Sequence, residues 1–374
     1  MRFGLSQEQQ MLGDMTGRAL ENGMPLEAVR EVVARGAPYD EACWHTLVEL
    51  GVAGVLIPHN LGGSGLGMVD AMVIAEALGA AVAPVPFLGS AVMAPMAIAL
   101  GGSDAQRSAW LPPLAAGELV YGVAVSEFVG VRPQTGVELR DGALFGTAQT
   151  VLDSGGAHAY LVSDQGGRIY RVPRDTPNLQ ITRLTSIDKT RSIGCLTFDG
   201  VEGEVLPGSA NPAVIQRTVE AGRLVLAADT LGAAQTMLDK AVAYAKERRQ
   251  FNRVIGSFQA VKHMCAEMAA SLEPCRAMVW HAAHAMDALP EEAPLLVAHT
   301  KAHLAEVGRF VAKTATEVHG GMGFTDLLGL HYWFKRIGVD RQWLGSPEHL
   351  REEAAALQGW TPEPMGARPE SSTL

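Results

Sequence analysis

Apolar residues recur every three or four positions along the first 120 residues, which is the spacing of helices that bury one face. Cys43, Leu47 and Leu50 show this spacing clearly, and Gly51 follows where such a helix should stop. Further runs of the same kind continue to the end of this region. We therefore predict an α-helical N-terminal domain over residues 1–120.

The pattern changes near residue 121, where short segments rich in β-branched and aromatic residues replace the helical runs. Pairs such as Asp141-Gly142 between these segments are typical of turns. This part of the chain predicts a small antiparallel β domain over residues 121–207. The clearest strand segments are 121–125, 159–162, 168–172 and 193–198.

Helical spacing returns at about residue 212, and three long amphipathic runs follow one another. They predict a C-terminal helical bundle over residues 208–357. The tail 358–374 contains three prolines and two serines, and we predict that it is disordered. The succession of helices, strands and helices indicates a mainly α fold with a central β domain.

Length and charge narrow the class of protein. The chain has 374 residues, too many for one ordinary core, which indicates two or three domains. Its formal net charge of −10 argues against nucleic acid as the main partner, because phosphate binding needs clustered lysine and arginine. No uncharged apolar run reaches the roughly 20 residues that span a bilayer, and the first ten residues lack the apolar core of a signal peptide. We therefore predict a cytoplasmic protein without membrane contact.

The cysteine and histidine residues do not form a metal-binding pattern. None of the four cysteines has zinc-like spacing, so we predict free thiols in a reducing compartment. His281 and His284 share a helix face, as do His299 and His303, but no intervening glutamate completes a zinc motif. These histidines are predicted to lie on helix surfaces, and no metal site is expected.

Two segments of the C-terminal region carry residues suited to a dinucleotide. Segment 248–260 reads Arg-Arg-Gln-Phe-Asn-Arg-Val-Ile-Gly-Ser-Phe-Gln-Ala and lies between predicted helices, where cations can hold an anion and an aromatic can stack a flat ring. Segment 319–325 reads His-Gly-Gly-Met-Gly-Phe-Thr, and its glycines can expose backbone N–H groups to a diphosphate. Each segment alone has an ordinary alternative, which is a solvated loop for the first and a helix C-cap for the second.

Together these segments resemble the acyl-CoA dehydrogenase family in residue type, order and separation. The resemblance extends to the glycine-rich turn at 50–63, to Ser126-Glu127 and to the Asp-Lys-Thr-Arg sequence at 188–191, and it covers residues 1–355. Members of the family have a helical N-terminal domain, a β domain and a C-terminal four-helix bundle. They are usually tetramers, and each FAD is shared between two subunits. The resemblance implies this three-domain architecture and FAD as the cofactor.

The resemblance also implies which residues bind the cofactor. Both segments are expected to contact the adenine-diphosphate half of a neighbour's FAD, and the end of the first β strand is expected near the isoalloxazine ring. Glu317 stands where relatives carry a glutamine. The predicted cofactor-binding residues are Val125, Ser126, Arg248, Gln250, Phe251, Gln259, Glu317, Gly320 and Gly321.

The family reaction removes an α-proton from an acyl-CoA thioester and passes the β-hydride to the flavin, so it needs a general base. Relatives carry this base, a glutamate, either in a late Tyr-Glu-Gly turn or directly before an arginine on the first bundle helix. The matching positions here are Leu344 and Gly222, and the arginine is Arg223, which we predict to contact substrate. Asp229 lies about 20° from the helix face of Gly222 and is the candidate catalytic base. The alternative is a structural aspartate satisfied by a partner.

Three hypotheses follow. In the first, the chain is an FAD-dependent acyl-CoA dehydrogenase within a homo- or hetero-tetramer, with electron-transfer flavoprotein as the acceptor. In the second, it is a non-catalytic subunit of an α2β2 acyl-CoA dehydrogenase and completes the partner's FAD site. Similar bacterial relatives act on steroid or other bulky acyl-CoA thioesters. The third is a relative with oxidase-type flavin chemistry. The missing glutamates shift weight from the first hypothesis to the second.

Overall fold

The computed structural model describes residues 4–125, 128–129 and 136–360, and in it helices precede and follow a block of strands. The predicted fold class, mainly α with a central β domain, is confirmed. Among the described residues, no helix is both long and apolar enough to cross a membrane. The predicted disordered tail lies outside the described residues from position 361 onward.

Six helices form the N-terminal region, and side chains cap several of them. The Asp40 carboxylate accepts a hydrogen bond from the Cys43 N–H at 2.8 Å and so starts the third helix. A buried π-helical turn, Phe87–Met93, leads into the fifth helix. The helices are α1 (Gln7–Gly23), α2 (Leu26–Arg35), α3 (Glu41–Glu49), α4 (Met68–Ala80), α5 (Ala94–Gly101) and α6 (Asp104–Ala115).

The central region contains a sheet whose strand order is β6-β7-β3-β1-β4-β5-β8, with β2 paired to β3. Neighbouring residues of β1 face different cores, because Val123 joins the core shared with the helices whereas Ala124 joins a second core within the β domain. The strands are β1 (Tyr121–Ala124), β2 (Val137–Arg140), β3 (Ala143–Leu152), β4 (Ala159–Ser163), β5 (Ile169–Pro173), β6 (Leu179–Arg183), β7 (Ile193–Val201) and β8 (Glu204–Val205).

The prediction of an antiparallel β domain is wrong for one pair of strands. β1 and β4 are parallel, with Tyr121 opposite Ala159. The reason lies in the chain path, because β3 pairs antiparallel with one edge of β1, and β4 then pairs with the other edge. A strand that follows β3 through a tight turn runs in the direction of β1 again.

The C-terminal region is a helical bundle built around α7, which is buried along most of its length. Close packing against α4 depends on two glycines, since a Cβ on Gly79 would collide with the Asp229 carbonyl and a Cβ on Gly232 with the Glu76 carbonyl. A short hairpin, β9 (Arg249–Gln250) and β10 (Arg253–Val254), follows α7. The helices are α7 (Pro212–Glu247), α8 (Gln259–Ala288), α9 (Ala293–His319), α10 (Leu330–Asp340) and α11 (Pro347–Leu357).

Candidate functional site

The first motif segment forms an exposed hairpin at the end of α7. Its two turn residues, Phe251 and Asn252, have φ values of +52° and +61°. Left-handed backbone costs an ordinary L-residue about 1–2 kcal/mol, and such strain often marks functional positions. Phe251 is 86% exposed, so burial of its own ring does not offset this cost within the chain. The side-chain amide of Gln250 donates to the carbonyl of Arg249 at 2.7 Å and stays at the surface.

Flat groups line the outer side of this hairpin. The Arg253 guanidinium lies 3.9 Å from the ring centroid of Phe258, and the Phe251 ring meets Phe258 edge-on at 6.1 Å. Arg248 and Gln259 are exposed, and no hydrogen bond or ion pair engages their side chains within the described part of the chain. Such a surface can stack a purine ring and hold a phosphate group.

The second motif segment turns sharply at the end of α9. Gly320 has φ +58° and ψ −141°, a combination that only glycine adopts readily. Gly321 has no such constraint, and a Cβ placed on it would meet no atom within 4 Å. The chain therefore needs glycine at 320 for its backbone, whereas no described residue would contact a larger side chain at 321. Glu317 is exposed one turn earlier and forms no ion pair with any described residue.

The fold brings these two segments together. Tyr244, in the last turn of α7, stacks on His319, the last residue of α9, with ring centroids 4.6 Å apart. A dinucleotide that spans both segments requires this proximity. Two residues were predicted to lie near the isoalloxazine ring. Val125 is buried directly after β1, and Ser126 lies outside the described residues.

Asp153, which follows β3, is a buried residue that the sequence analysis missed. It has φ +53°, and its carboxylate accepts a hydrogen bond from the Gly89 N–H in the π-helical turn at 2.7 Å. Burial raises the pKa of Asp153 to about 6, against the opposing effects of that N–H and of Arg191 and Arg336. The polar Asp-Ser-Gly-Gly sequence directly after an apolar strand was the available signal.

Asp229, the predicted base, lies in a buried ion-pair cluster. Arg336 binds it through two hydrogen bonds of 2.8 and 2.7 Å, and Arg191 approaches the second oxygen at 2.8 Å. Burial alone would raise the pKa of Asp229, but the two guanidinium groups outweigh it and hold this pKa below its usual value. A carboxylate in this setting accepts a proton poorly, so the geometry favours a structural role. Arg191 also binds Asp340, which ties the β domain to α7 and α10.

The two positions at which relatives carry the base meet in space. A Cβ on Gly222 would lie 2.6 Å from Cδ1 of Leu344 and 2.7 Å from Sδ of Met93. Leu344 is buried and has φ +56°. The place that a catalytic carboxylate would occupy is thus taken by apolar side-chain ends, and Gly222, Leu344 and Met93 form one apolar wall there.

Arg223, the predicted substrate contact, has its donors directed elsewhere. Its terminal nitrogens donate to the two carboxylate oxygens of Glu353 at 2.8 Å each, and Nε donates to the Leu344 carbonyl at 2.8 Å. Lys301 donates to the carbonyls of Asp340 and Gly345 at 3.0 and 3.1 Å, and burial lowers the pKa of this amine to about 7. Two buried basic side chains therefore fix the turn that carries Leu344.

Glu220 is a further buried acid of α7. It is 2% exposed and accepts a hydrogen bond from the Gln216 amide at 3.0 Å, while its second oxygen has no partner among the described residues. Burial raises its pKa. It lies about 200° around the helix from Gly222, so its side chain starts on a different face.

Comparisons with known proteins agree with this architecture. Residues 6–118 match the family model for the acyl-CoA dehydrogenase N-terminal domain, and residues 213–357 match that for the C-terminal domain. The chain is 30% identical over 345 residues to acyl-CoA dehydrogenase IpdE2 of Mycobacterium tuberculosis, which covers 92% of this chain and 95% of the relative.

Solved structures are also similar to this chain over nearly its whole length. The Tcur3481-Tcur3483 steroid ACAD superimposes with a TM-score of 0.86 and 29% identity, over 94% of this chain and 98% of that one. The ChsE4-ChsE5 complex from Mycobacterium tuberculosis gives a TM-score of 0.89 and 27% identity, over 97% of this chain and 100% of the other. On the combined extent of these matches, the chain belongs to the acyl-CoA dehydrogenase family, flavoproteins whose cofactor is FAD.

Proposed function

We propose that this chain is one subunit of a hetero-oligomeric acyl-CoA dehydrogenase, in which it completes an FAD site shared with a sister subunit but supplies no catalytic base. The meeting of Gly222 with Leu344 carries the proposal. Both positions belong to one apolar wall, neither can ionise, and the third side chain that approaches Gly222 there is the apolar Met93. The α-proton of the substrate must then pass to a carboxylate of the sister subunit.

The exposed face formed by the hairpin and the glycines fits the adenine-diphosphate half of FAD. Arg248 would balance phosphate charge, Phe251 and Phe258 would flank the adenine, and Gly321 would let the diphosphate approach the backbone. When bound, FAD accepts the hydride from the β-carbon of the thioester. The residues of this chain would hold and orient the cofactor and exclude water around it.

The first hypothesis, in which this chain is itself catalytic through Asp229, alone or with a partner, is less well supported. Proton transfer to Asp229 would require it to leave two guanidinium partners in a buried cluster. One carboxylate oxygen of Glu220 has no partner within the described part of the chain, but this side chain starts on another face of α7. Neither acid stands in the wall that Gly222 and Leu344 form.

A bulky acyl-CoA thioester, of steroid type, is the substrate class that we propose. One similar structure is described as a steroid ACAD, and another is a complex of two different chains. Ala221, Ala227 and Ala228 are small buried residues of α7 close in sequence to Gly222, and they are compatible with a bulky acyl group. Electron-transfer flavoprotein remains the acceptor that we predict.

The test compares the chain alone with the chain co-purified with a candidate sister subunit. FAD content and dye reduction that depends on a steroid-type acyl-CoA are measured for both samples. We expect activity only in the co-purified complex, and expect it to vanish when the catalytic glutamate of the sister subunit is changed to glutamine. Turnover by the chain alone, at a rate comparable to the complex, would contradict the proposal.

A gain-of-function variant sharpens this test. Leu344→Glu places a carboxylate in the wall beside Gly222, and Leu344→Gln is a control of equal size without a base. If the pocket is otherwise intact, Leu344→Glu gives the chain α-proton abstraction of its own, seen as exchange of the substrate α-proton with deuterated water. Exchange by both variants, or by the wild-type chain, would show that the base lies elsewhere in this chain.

A further inference from the structure

The contact between Tyr244 and His319 links the ends of the two helices that carry the proposed cofactor face. The carbonyl of Tyr244 accepts the N–H of Arg248 at 2.8 Å, which ends α7 and starts the hairpin. The ring of Tyr244 stacks on His319 at 4.6 Å with an interplanar angle of 29°. His319 directly precedes Gly320. One pair of rings therefore joins Arg248, the residue before the hairpin, to the first glycine.

His319 is held firmly in this position. It is 5% exposed, and its Nδ1 lies 2.7 Å from the carbonyl of Ala315 one turn earlier on α9. Lys240 is the charged residue that faces the imidazole from α7, and burial together with this lysine outweighs the carbonyls and lowers the pKa of His319. A neutral ring stacks on Tyr244 without the cost of burying a charge.

The segment after His319 folds back on the same helix turn. A Cβ on Gly323 would lie 2.6 Å from the Thr316 carbonyl and 3.1 Å from Cβ of His319. The glycine turn is thus seated on the end of α9, and its position relative to the hairpin depends on how α9 meets α7 at the stacked pair.

We infer that Tyr244 and His319 act as a positioning pair, which sets the separation between Arg248 and the twin glycines and thereby the affinity for the adenine-diphosphate half of FAD. Neither residue needs to touch the cofactor. The inference rests on the proposed cofactor face. It adds that the affinity of this face depends on a buried ring stack behind it.

The experiment measures binding of ADP to the full chain, in the assembled form in which it purifies, by isothermal titration calorimetry. The variants are His319→Ala and Tyr244→Ala, and the conservative variants His319→Phe and Tyr244→Phe keep a ring at each position. FMN, which lacks the adenine half, is the control ligand, and thermal unfolding checks that each variant is folded.

We expect each alanine variant to weaken ADP binding roughly threefold to tenfold, because the stack is lost. Each phenylalanine variant should stay within about twofold of wild type, and FMN binding should be unchanged. The double alanine variant should be no weaker than the weaker single variant, since both remove the same contact.

Two results would overturn the inference while the proposed function stands. One is wild-type ADP affinity in both alanine variants, and the other is a loss in the phenylalanine variants as large as in the alanine variants. If wild-type protein binds neither ADP nor FAD, the cofactor face itself is refuted, and the positioning pair with it.

Discussion

The proposed cofactor face and the apolar wall at Gly222 differ in how their polar side chains are arranged. On the face, Arg248, Gln259 and Glu317 are exposed and lack partners among the described residues. Behind the wall, Arg223 and Asp229 are buried, and each is bound by two or more partners. Water satisfies an unpaired charge at little cost, whereas a buried charge without a partner costs several kcal/mol.

The difference indicates how each region is used. Groups left unsatisfied at the surface remain available to a ligand or to another subunit. Groups that saturate one another inside the fold are not available, and they fix geometry instead. A residue predicted to bind a ligand can thus be distinguished from one that fixes geometry, because the second already has hydrogen-bond or ion-pair partners within the fold. Four substitutions test this contrast, in decreasing order of their expected effect on stability.

Asp229→Asn should have the largest effect, because it leaves Arg191 and Arg336 buried without a full counter-charge. Breaking a buried ion pair costs about 3–5 kcal/mol, so the free energy of unfolding should fall by about 4 kcal/mol. Chemical denaturation measures this loss. Asp239→Asn, on the exposed side of the same helix, is the control and should change stability by less than about 0.5 kcal/mol. If the Asp229→Asn protein were stable but its complex with the sister subunit had lost dehydrogenase activity, Asp229 would again be the candidate base.

Asp153 should make stability depend on pH. Burial in the folded chain raises the pKa of its carboxyl from the ordinary aspartate value of 3.8 to about 6. Between these values the folded state binds more protons, so the free energy of unfolding falls as pH rises, by about 3 kcal/mol in total. Asp153→Asn should remove this contribution.

Denaturation curves at pH 4 and pH 7 for the wild type and for Asp153→Asn measure the difference. Burial also raises the pKa of Asp340, so Asp340 makes the free energy of unfolding fall with rising pH as well. The contribution of Asp153 is therefore the difference in this pH dependence between wild type and Asp153→Asn. Asp141→Asn, at an exposed turn, is the control. Equal slopes in wild type and Asp153→Asn would contradict the prediction.

Gly222→Ala should have a small effect. Only the flexible ends of Leu344 and Met93 must move, and alanine gains helix propensity, so we expect a loss of about 1 kcal/mol or less. Gly232→Ala in the same helix meets the rigid Glu76 carbonyl and should cost about 3 kcal/mol. A comparable loss in both variants would mean that the wall at Gly222 is rigid and could not have held a larger residue.

Gly321→Ala should leave the stability within about 0.5 kcal/mol of wild type, since its Cβ meets open space within the described chain. FAD binding, measured by fluorescence titration, should nevertheless weaken, because in the proposed site the methyl group would face the diphosphate. Gly17→Ala, at an equally open position on α1, is the control and should bind FAD normally. Normal FAD binding by Gly321→Ala would argue that the diphosphate lies elsewhere.

Much of the fold could be predicted from the sequence, because local periodicity determines helices and strands. The 36-residue helix α7 and the end of α3 before Gly51 agree with the spacing of apolar residues. The parallel pairing of β1 with β4 could not be predicted, since it depends on which edge of β1 remains free after β3 has paired. Asp153 was missed for a related reason, as its partner Gly89 is 64 residues away.

The sequence by itself determined the order of the domains, the two motif segments and the absence of a glutamate at positions 222 and 344. Tertiary structure alone decided that these positions touch, and that Asp229 pairs with Arg336, 107 residues further along. Residue spacing places a side chain on one face of one helix, whereas its partner is chosen by the packing of distant elements. The role of a buried charged residue therefore has to be inferred from the residues that contact it. Only folding brings those residues together.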